Sequence, residues 1–180
     1  MNNLCKAFII ILAICLLSSC ADRRKVSATL RDFMELEIAV PDDMECVFGR
    51  RIETACIDTL HPVKFIIYYD SLSCSSCGIS HLNDLVPLYR KSMETGTFSL
   101  LTIFSPRADD MEDVRVELML DSPLFPVYID VNGSFARQNP GIPSDSRFHY
   151  FLIDSSGHPV FVGNPLGNTE LERLMDAIVK

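Results

Sequence analysis

The alternation of apolar and polar positions divides the chain into a short apolar leader followed by elements of strand and helix length. Ala7 to Leu17 is an unbroken apolar run preceded by Lys6. As a helix it would rise about 16 Å, roughly half the hydrocarbon thickness of a bilayer. Residues 33–60 predict short strands: Phe33, Leu36 and Ile38 precede Pro41-Asp42-Asp43, then come Cys46-Val47-Phe48, a turn at Gly49, and Ile52 to Ile57. Val63 to Tyr69 is nearly continuous in apolar, β-branched and aromatic residues, as in a central strand covered on both faces.

After the loop Asp70 to Ser73, the apolar positions Ile79, Leu82, Leu85, Val86, Tyr89 and Met93 recur at helical spacing. They predict a helix over 78–94, kinked at Pro87 and stopped by Gly96. Phe98 to Phe104 is a second buried strand, and Asp109 or Asp110 can cap a helix running to about Leu120. Phe125 to Val131 is a third strand, and residues 134–147, polar and broken by Pro140 and Pro143, read as a loop. Tyr150 to Asp154 and Val160 to Asn164 flank Ser155-Ser156-Gly157-His158, a hairpin pattern. Thr169-Glu170-Leu171-Glu172 fits a capping box for a last helix with Leu171, Leu174, Met175 and Ile178 on its apolar face. Strands alternating with helices, closed by a hairpin, define an α/β protein with a mixed central sheet flanked by helices and an N-terminal β extension.

The chain has 180 residues, 48% of them hydrophobic, with 16 basic and 24 acidic side chains and a formal net charge of −8. That supports one domain with its own core. The acidic balance excludes nucleic acid as a partner, because phosphate neutralisation needs clustered Lys and Arg. Eight glycines and ten prolines exclude low-complexity classes.

Seven cysteines change the picture most. The leader has the form of a secretory signal peptide over residues 1–19. It ends in Leu17-Ser18-Ser19-Cys20, which resembles a bacterial lipobox whose cysteine is lipidated and becomes the mature N-terminus. Acyl chains on Cys20 would hold the protein on a membrane of the bacterial envelope, facing the periplasm, with no spanning helix. A plain signal peptide with an incidental cysteine is the alternative. Residues 20–32, with Asp22-Arg23-Arg24-Lys25, then read as a polar tether, and 33–180 as the domain. Cys5 and Cys15 leave with the leader, so Cys46, Cys56, Cys74 and Cys77 remain, in a compartment where disulfides persist.

Cys74-Ser75-Ser76-Cys77 lies between a buried strand and a helix. At a helix N-terminus, orphan amides and the macrodipole favour a Cys74 thiolate and lower its pKa. Cys77, one turn further in and less exposed, can close a small disulfide. An attacking and a resolving thiol are the minimum for thiol–disulfide exchange. The other reading of the pair is a structural staple.

Here the sequence resembles a family. The strand ending Tyr68-Tyr69-Asp70-Ser71, then Cys74-Ser75-Ser76-Cys77 opening a helix, is similar to the thioredoxin-fold redoxins. Phe151-Leu152-Ile153-Asp154-Ser155-Ser156-Gly157 followed by Val160-Phe161-Val162-Gly163 resembles their closing hairpin. With the lipobox, the match is to exported, membrane-tethered TlpA-type thiol–disulfide oxidoreductases, similar to thioredoxin-like lipoproteins of Bacteroidetes. The resemblance covers about residues 60–180. It implies a thioredoxin-like fold, envelope protein thiols or disulfides as partners, and no cofactor. The departures are Ser73 where an aromatic residue is usual, Ser76 where proline is common, and Phe148 at the position of the cis-proline that faces the disulfide. A non-catalytic thioredoxin-fold lipoprotein with a binding or structural task is the rival reading.

Two further residues are candidates for the site. Asp70 could take a proton from Cys77 as the buried acid of thioredoxins does, or simply form an Asx turn. His81, four residues after Cys77, could stabilise a thiolate, or be an exposed helical histidine. Zinc needs four ligands, of which Cys74, Cys77 and His81 supply three, so a structural zinc site is not expected. Cys46 and Cys56 could face each other across the turn at Gly49-Arg50-Arg51 if the register places them opposite.

Overall fold

The computed structural model describes residues 22–54 and 60–179. The leader, Cys20 and Cys56 lie outside these residues. Helix α1, residues 22–34, is followed by β1 (Glu45–Phe48), β2 (Arg51–Thr54), β3 (Lys64–Tyr69), α2 (Ser75–Ser80), α3 (Val86–Thr95) and β4 (Ser99–Phe104). Next come α4 (Met111–Asp121), β5 (Val127–Ile129), α5 (Ser134–Gln138), β6 (Tyr150–Ile153), β7 (Pro159–Val162) and α6 (Thr169–Ile178). The strands form one sheet in the order β2-β1-β5-β4-β3-β6-β7. Strands β3, β4 and β5 are parallel, while β1 runs antiparallel to β5, and β6 to β3.

The apolar run of β3 works as its pattern predicts. Phe65 and Ile67 face one layer with Ile79 of α2, Leu88 of α3, Leu118 of α4 and Met175 of α6. Ile66 and Tyr68 face the other, with Phe33, Phe135 and Phe148. Because side chains alternate across a strand, one uninterrupted hydrophobic segment supplies both layers.

Several expectations are corrected. No strand occupies 33–38. Instead α1 brings Val26, Leu30 and Phe33 onto the sheet, a spacing of three to four that marks one helical face. The predicted single helix over 78–94 is two helices: α2 begins at Ser75 and ends at His81, a short 3₁₀ turn follows, and Pro87 stands in the first turn of α3. Proline lacks the N–H that a helix start leaves unpaired anyway, so it opens α3 rather than kinking a longer helix. The stretch 134–147 is not all loop. Asp130, 2% exposed, accepts from the Phe135 N–H at 3.1 Å and from Ser105 Oγ at 2.9 Å, fixing the start of α5. Helix α6 is capped by Asn168, whose Oδ1 accepts from the Glu170 and Leu171 N–H groups, one residue earlier than the predicted box. Met175 is its buried residue, while Leu174 is exposed.

The N-terminal β extension is the β1–β2 hairpin, turned at Gly49-Arg50 with Gly49 in the left-handed region at φ +58°. Its register sets Cys46 opposite Glu53, and Cys56 lies outside the described residues. Arg115 of α4 grips Glu45 of β1 with two hydrogen bonds of 2.7 and 2.8 Å, tying the hairpin to the body.

Candidate functional site

The chain leaves β3 at the carboxyl end of the parallel strands, the end at which α/β sheets usually place their sites. Asp70 shapes the exit. Its carboxylate accepts from the Leu72 N–H at 3.1 Å and Ser73 Oγ at 2.7 Å, while its carbonyl accepts from the Ser73 N–H at 3.0 Å. This is an Asx turn that delivers Cys74 to the N-terminal end of α2. Cys74 is extended (φ −73°, ψ 100°) and is the N-cap, its Sγ accepting the Cys77 N–H at 3.3 Å. Cys74 and Cys77 form a disulfide with their Cα atoms 5.2 Å apart.

Both cysteines are exposed. Helix α2 has one buried strip, Gly78 and Ile79, and Cys77 falls beside it. Gly78 is required by close approach, since a Cβ there would lie 2.7 Å from the Tyr69 ring. Tyr69 in turn stacks on Phe104, with centroids 4.4 Å apart and planes inclined by 12°. The pair therefore rides on a short helix laid against an aromatic plate. Six residues make only a weak macrodipole, so the stabilising effect on a Cys74 thiolate comes from the local N–H of Cys77. Ser76 Oγ donates to Glu117 Oε2 at 2.7 Å, a link from the residues between the cysteines to α4.

A cleft of about 840 Å³ opens beside the disulfide. Cys74, Cys77, Asp70 and His81 all line it, so the structure brings the four site residues named from sequence together. His81 pairs with Asp84 at 3.0 Å, both side chains 71% exposed. The facing wall was not legible in the sequence. It includes Tyr68, His149 and Tyr150. Burial pushes the hydroxyl pKa of both Tyr68 and Tyr69 upward, and for Tyr69 the neighbouring Tyr150 adds to it. His149 enters because β6 pairs with β3, the Tyr68 N–H donating to the His149 carbonyl at 2.9 Å.

Phe148 does not face the pair. It turns into the opposite layer, edge-on to Phe33 with centroids 6.2 Å apart. The residue that lines the cleft is the next one, His149, and no cis peptide bond occurs among the described residues. Nor does any group of three or more His, Cys, Asp or Glu side chains suited to a metal ion occur among them.

The core order β4-β3-β6-β7, with the cysteine pair following its central strand, settles the architecture. The fold is thioredoxin-like. No family model and no curated protein matches the chain. Among solved structures it is similar to a protein from Chlorobium tepidum described as a thiol:disulfide interchange protein of the DsbE type, at 17% identity and a TM-score of 0.47, covering 81% of this chain and 97% of that one. It is also similar to the thioredoxin domain of a thiol-disulfide oxidoreductase from Bacteroides vulgatus (14% identity, TM-score 0.47, 79% and 100% covered). A third is a thioredoxin-like protein from Porphyromonas gingivalis (15% identity, TM-score 0.44, 79% and 92% covered). These likenesses concern backbone shape, and the chemistry of the thioredoxin-like site rests on the residues described above.

Proposed function

We propose that this thioredoxin-like protein is a thiol–disulfide oxidoreductase of the bacterial envelope. The observation that carries the reading is the Cys74–Cys77 disulfide, exposed at a cleft on the carboxyl end of the sheet. A staple buried under packing would be closed to a second sulfur, whereas this bond can be approached from the cleft. Cys74 is the attacking thiol and Cys77 the resolving one, because Cys74 is the N-cap and its sulfur accepts an amide hydrogen bond that a thiolate strengthens. Asp70 holds the approach loop, and His81, paired with Asp84, stands at the rim. Partners are proteins carrying accessible thiols or disulfides.

With the resolving thiol removed, Cys77→Ser should accumulate mixed disulfides through Cys74, seen as reductant-sensitive adducts. No adducts with any disulfide-bearing protein, together with a wild-type reduction potential below about −300 mV, would mark the pair as a structural bond.

The envelope location rests on the leader and the lipobox-like Leu17-Ser18-Ser19-Cys20. Among the described residues no helix is long and apolar enough to cross a membrane. Cys20→Ala should move the full-length protein from the membrane to the soluble fraction. Retention in the membrane fraction would defeat the lipid anchor.

A further inference from the structure

Leu72 is 81% exposed, more than any other large hydrophobic residue among those described, and it lines the cleft two residues before Cys74. Its backbone is held. The Leu72 N–H donates to Asp70 Oδ1 at 3.1 Å, and Ser73 is bound twice to Asp70, through its N–H at 3.0 Å and its Oγ at 2.7 Å. The turn thus keeps an apolar side chain in water beside an exposed disulfide. An anchor already fixed in place loses little conformational freedom when a partner covers it. Half-buried Tyr69, Tyr150 and Leu166 continue the apolar lining. A second cavity of about 500 Å³ adjoins the cleft, Asp84 and Leu166 lining both. Two adjoining cavities suit an extended chain better than a small thiol.

The charges around the disulfide have one sign. Asp70 and Asp84 line the cleft, and no lysine or arginine does among the described residues. His81 offsets Asp84 only when protonated. On the other flank, Ser76, between the cysteines, is bonded to Glu117 of α4. That helix also carries Glu112, Asp113 and Asp121, and its one basic residue, Arg115, is held by Glu45 and Glu112. Arg147, next to the cleft residue Ser146, is occupied by Asp145. In the second cavity Lys91 pairs with Glu172 and Asp176. Each of these basic groups is therefore matched by carboxylates of its own. Neither Asp70 nor Glu117 is paired with a cation among the described residues.

We infer that the cleft selects cationic polypeptides: its occupant is an extended segment with lysine or arginine flanking the reacting cysteine and an apolar side chain seated on Leu72. This rests on the oxidoreductase reading above and names its substrate class. Acidic segments and small anionic disulfides are disfavoured, because like charges would meet across the cleft. Leu72 supplies affinity without regard to charge, and Asp84, which lines both cavities, supplies the discrimination. The two contributions are separable because the groups are different side chains on different segments.

The test is fluorescence anisotropy of two labelled peptides on the oxidised protein, at about pH 8, above the ordinary histidine range. The peptides share length and apolar content and carry serine in place of cysteine. One has lysine on either side of that serine, the other glutamate. At about 0.01 M salt the lysine peptide should bind about 10-fold tighter, and the ratio should fall toward one at about 1 M, where charges are screened within about 3 Å. Asp84→Asn should reduce the ratio. Leu72→Ser should weaken the lysine peptide by about 10-fold, and Leu72→Met should restore it. Equal affinities at low salt, no binding of either peptide, or unchanged binding to Leu72→Ser overturns the inference. Selective binding by a protein that, once reduced, reduces neither the cysteine forms of these peptides as disulfides nor bis(2-hydroxyethyl) disulfide leaves the docking assignment standing, and the oxidoreductase reading falls. Reduction of both peptide disulfides at one rate, without selective binding, does the reverse.

Discussion

Phe33→Ala should lower the stability of the domain by about 3–5 kcal/mol, the range for deleting a fully buried aromatic ring. Phe33 is 1% exposed and meets Phe151 and Phe148 edge-on, with centroids 5.1 and 6.2 Å away. Helix α1 is otherwise held by Val26, Leu30 and the following Leu36, all partly buried. Loss of the ring removes its transfer free energy and leaves a cavity that the sheet cannot close by itself. Urea unfolding should show the midpoint falling with little change in slope. Amide exchange should show α1 losing protection before the strands do. A loss below about 1 kcal/mol, or unchanged protection of residues 22–34, would mean that α1 does not depend on this contact.

Cys74→Ser separates chemistry from stability. Turnover of disulfide substrates should disappear, because no other residue at the N-cap can form the mixed disulfide. Stability should change far less. The bond closes a loop of sequence separation 3, for which the chain-entropy model gives only about 2 kcal/mol. The variant should therefore remain folded by circular dichroism while insulin reduction falls to the uncatalysed rate. Residual turnover above that rate would assign the attack to Cys77. Unfolding of the variant at ambient temperature would show instead that the bond's main role is structural.

The layers of the fold were readable wherever one segment had to satisfy one rule. β3 and β4 are saturated with apolar residues because both faces of a central strand are covered, and that needs no knowledge of the rest. The helix over 22–34 was missed because its apolar side chains are sparse among charges, so the tether reading competed with a helix that exists only by packing against Phe148 and Phe151. The break at His81 was missed for a related reason. The apolar spacing of Ile79, Leu82 and Leu85 fits both one helix and a helix followed by a 3₁₀ turn, and only tertiary packing chooses.

The site divides in the same way. Cys74, Cys77, Asp70 and His81 are close in sequence, and local rules place them together. His149 is about 70 residues away, and it reaches the cleft through β3–β6 pairing, a non-local register. The resemblance places Phe148 opposite the pair, whereas the residue that lines the cleft is His149. In a strand-entry segment one residue is the difference between Phe148 in a core layer and His149 in the cleft lining.

The hairpin at the far end of the sheet has a consequence for how copies of this protein behave together. β2 is an outer strand, and such a strand offers unpaired peptide groups to any neighbour that can extend the ladder. Arg51 and Glu53 occupy alternate positions of this four-residue strand and both stand in solvent. A strand docking there would have to strip water from both charges for very few new backbone bonds. The sheet thus carries its own terminator, and crowding should leave the molecules side by side rather than zipped together.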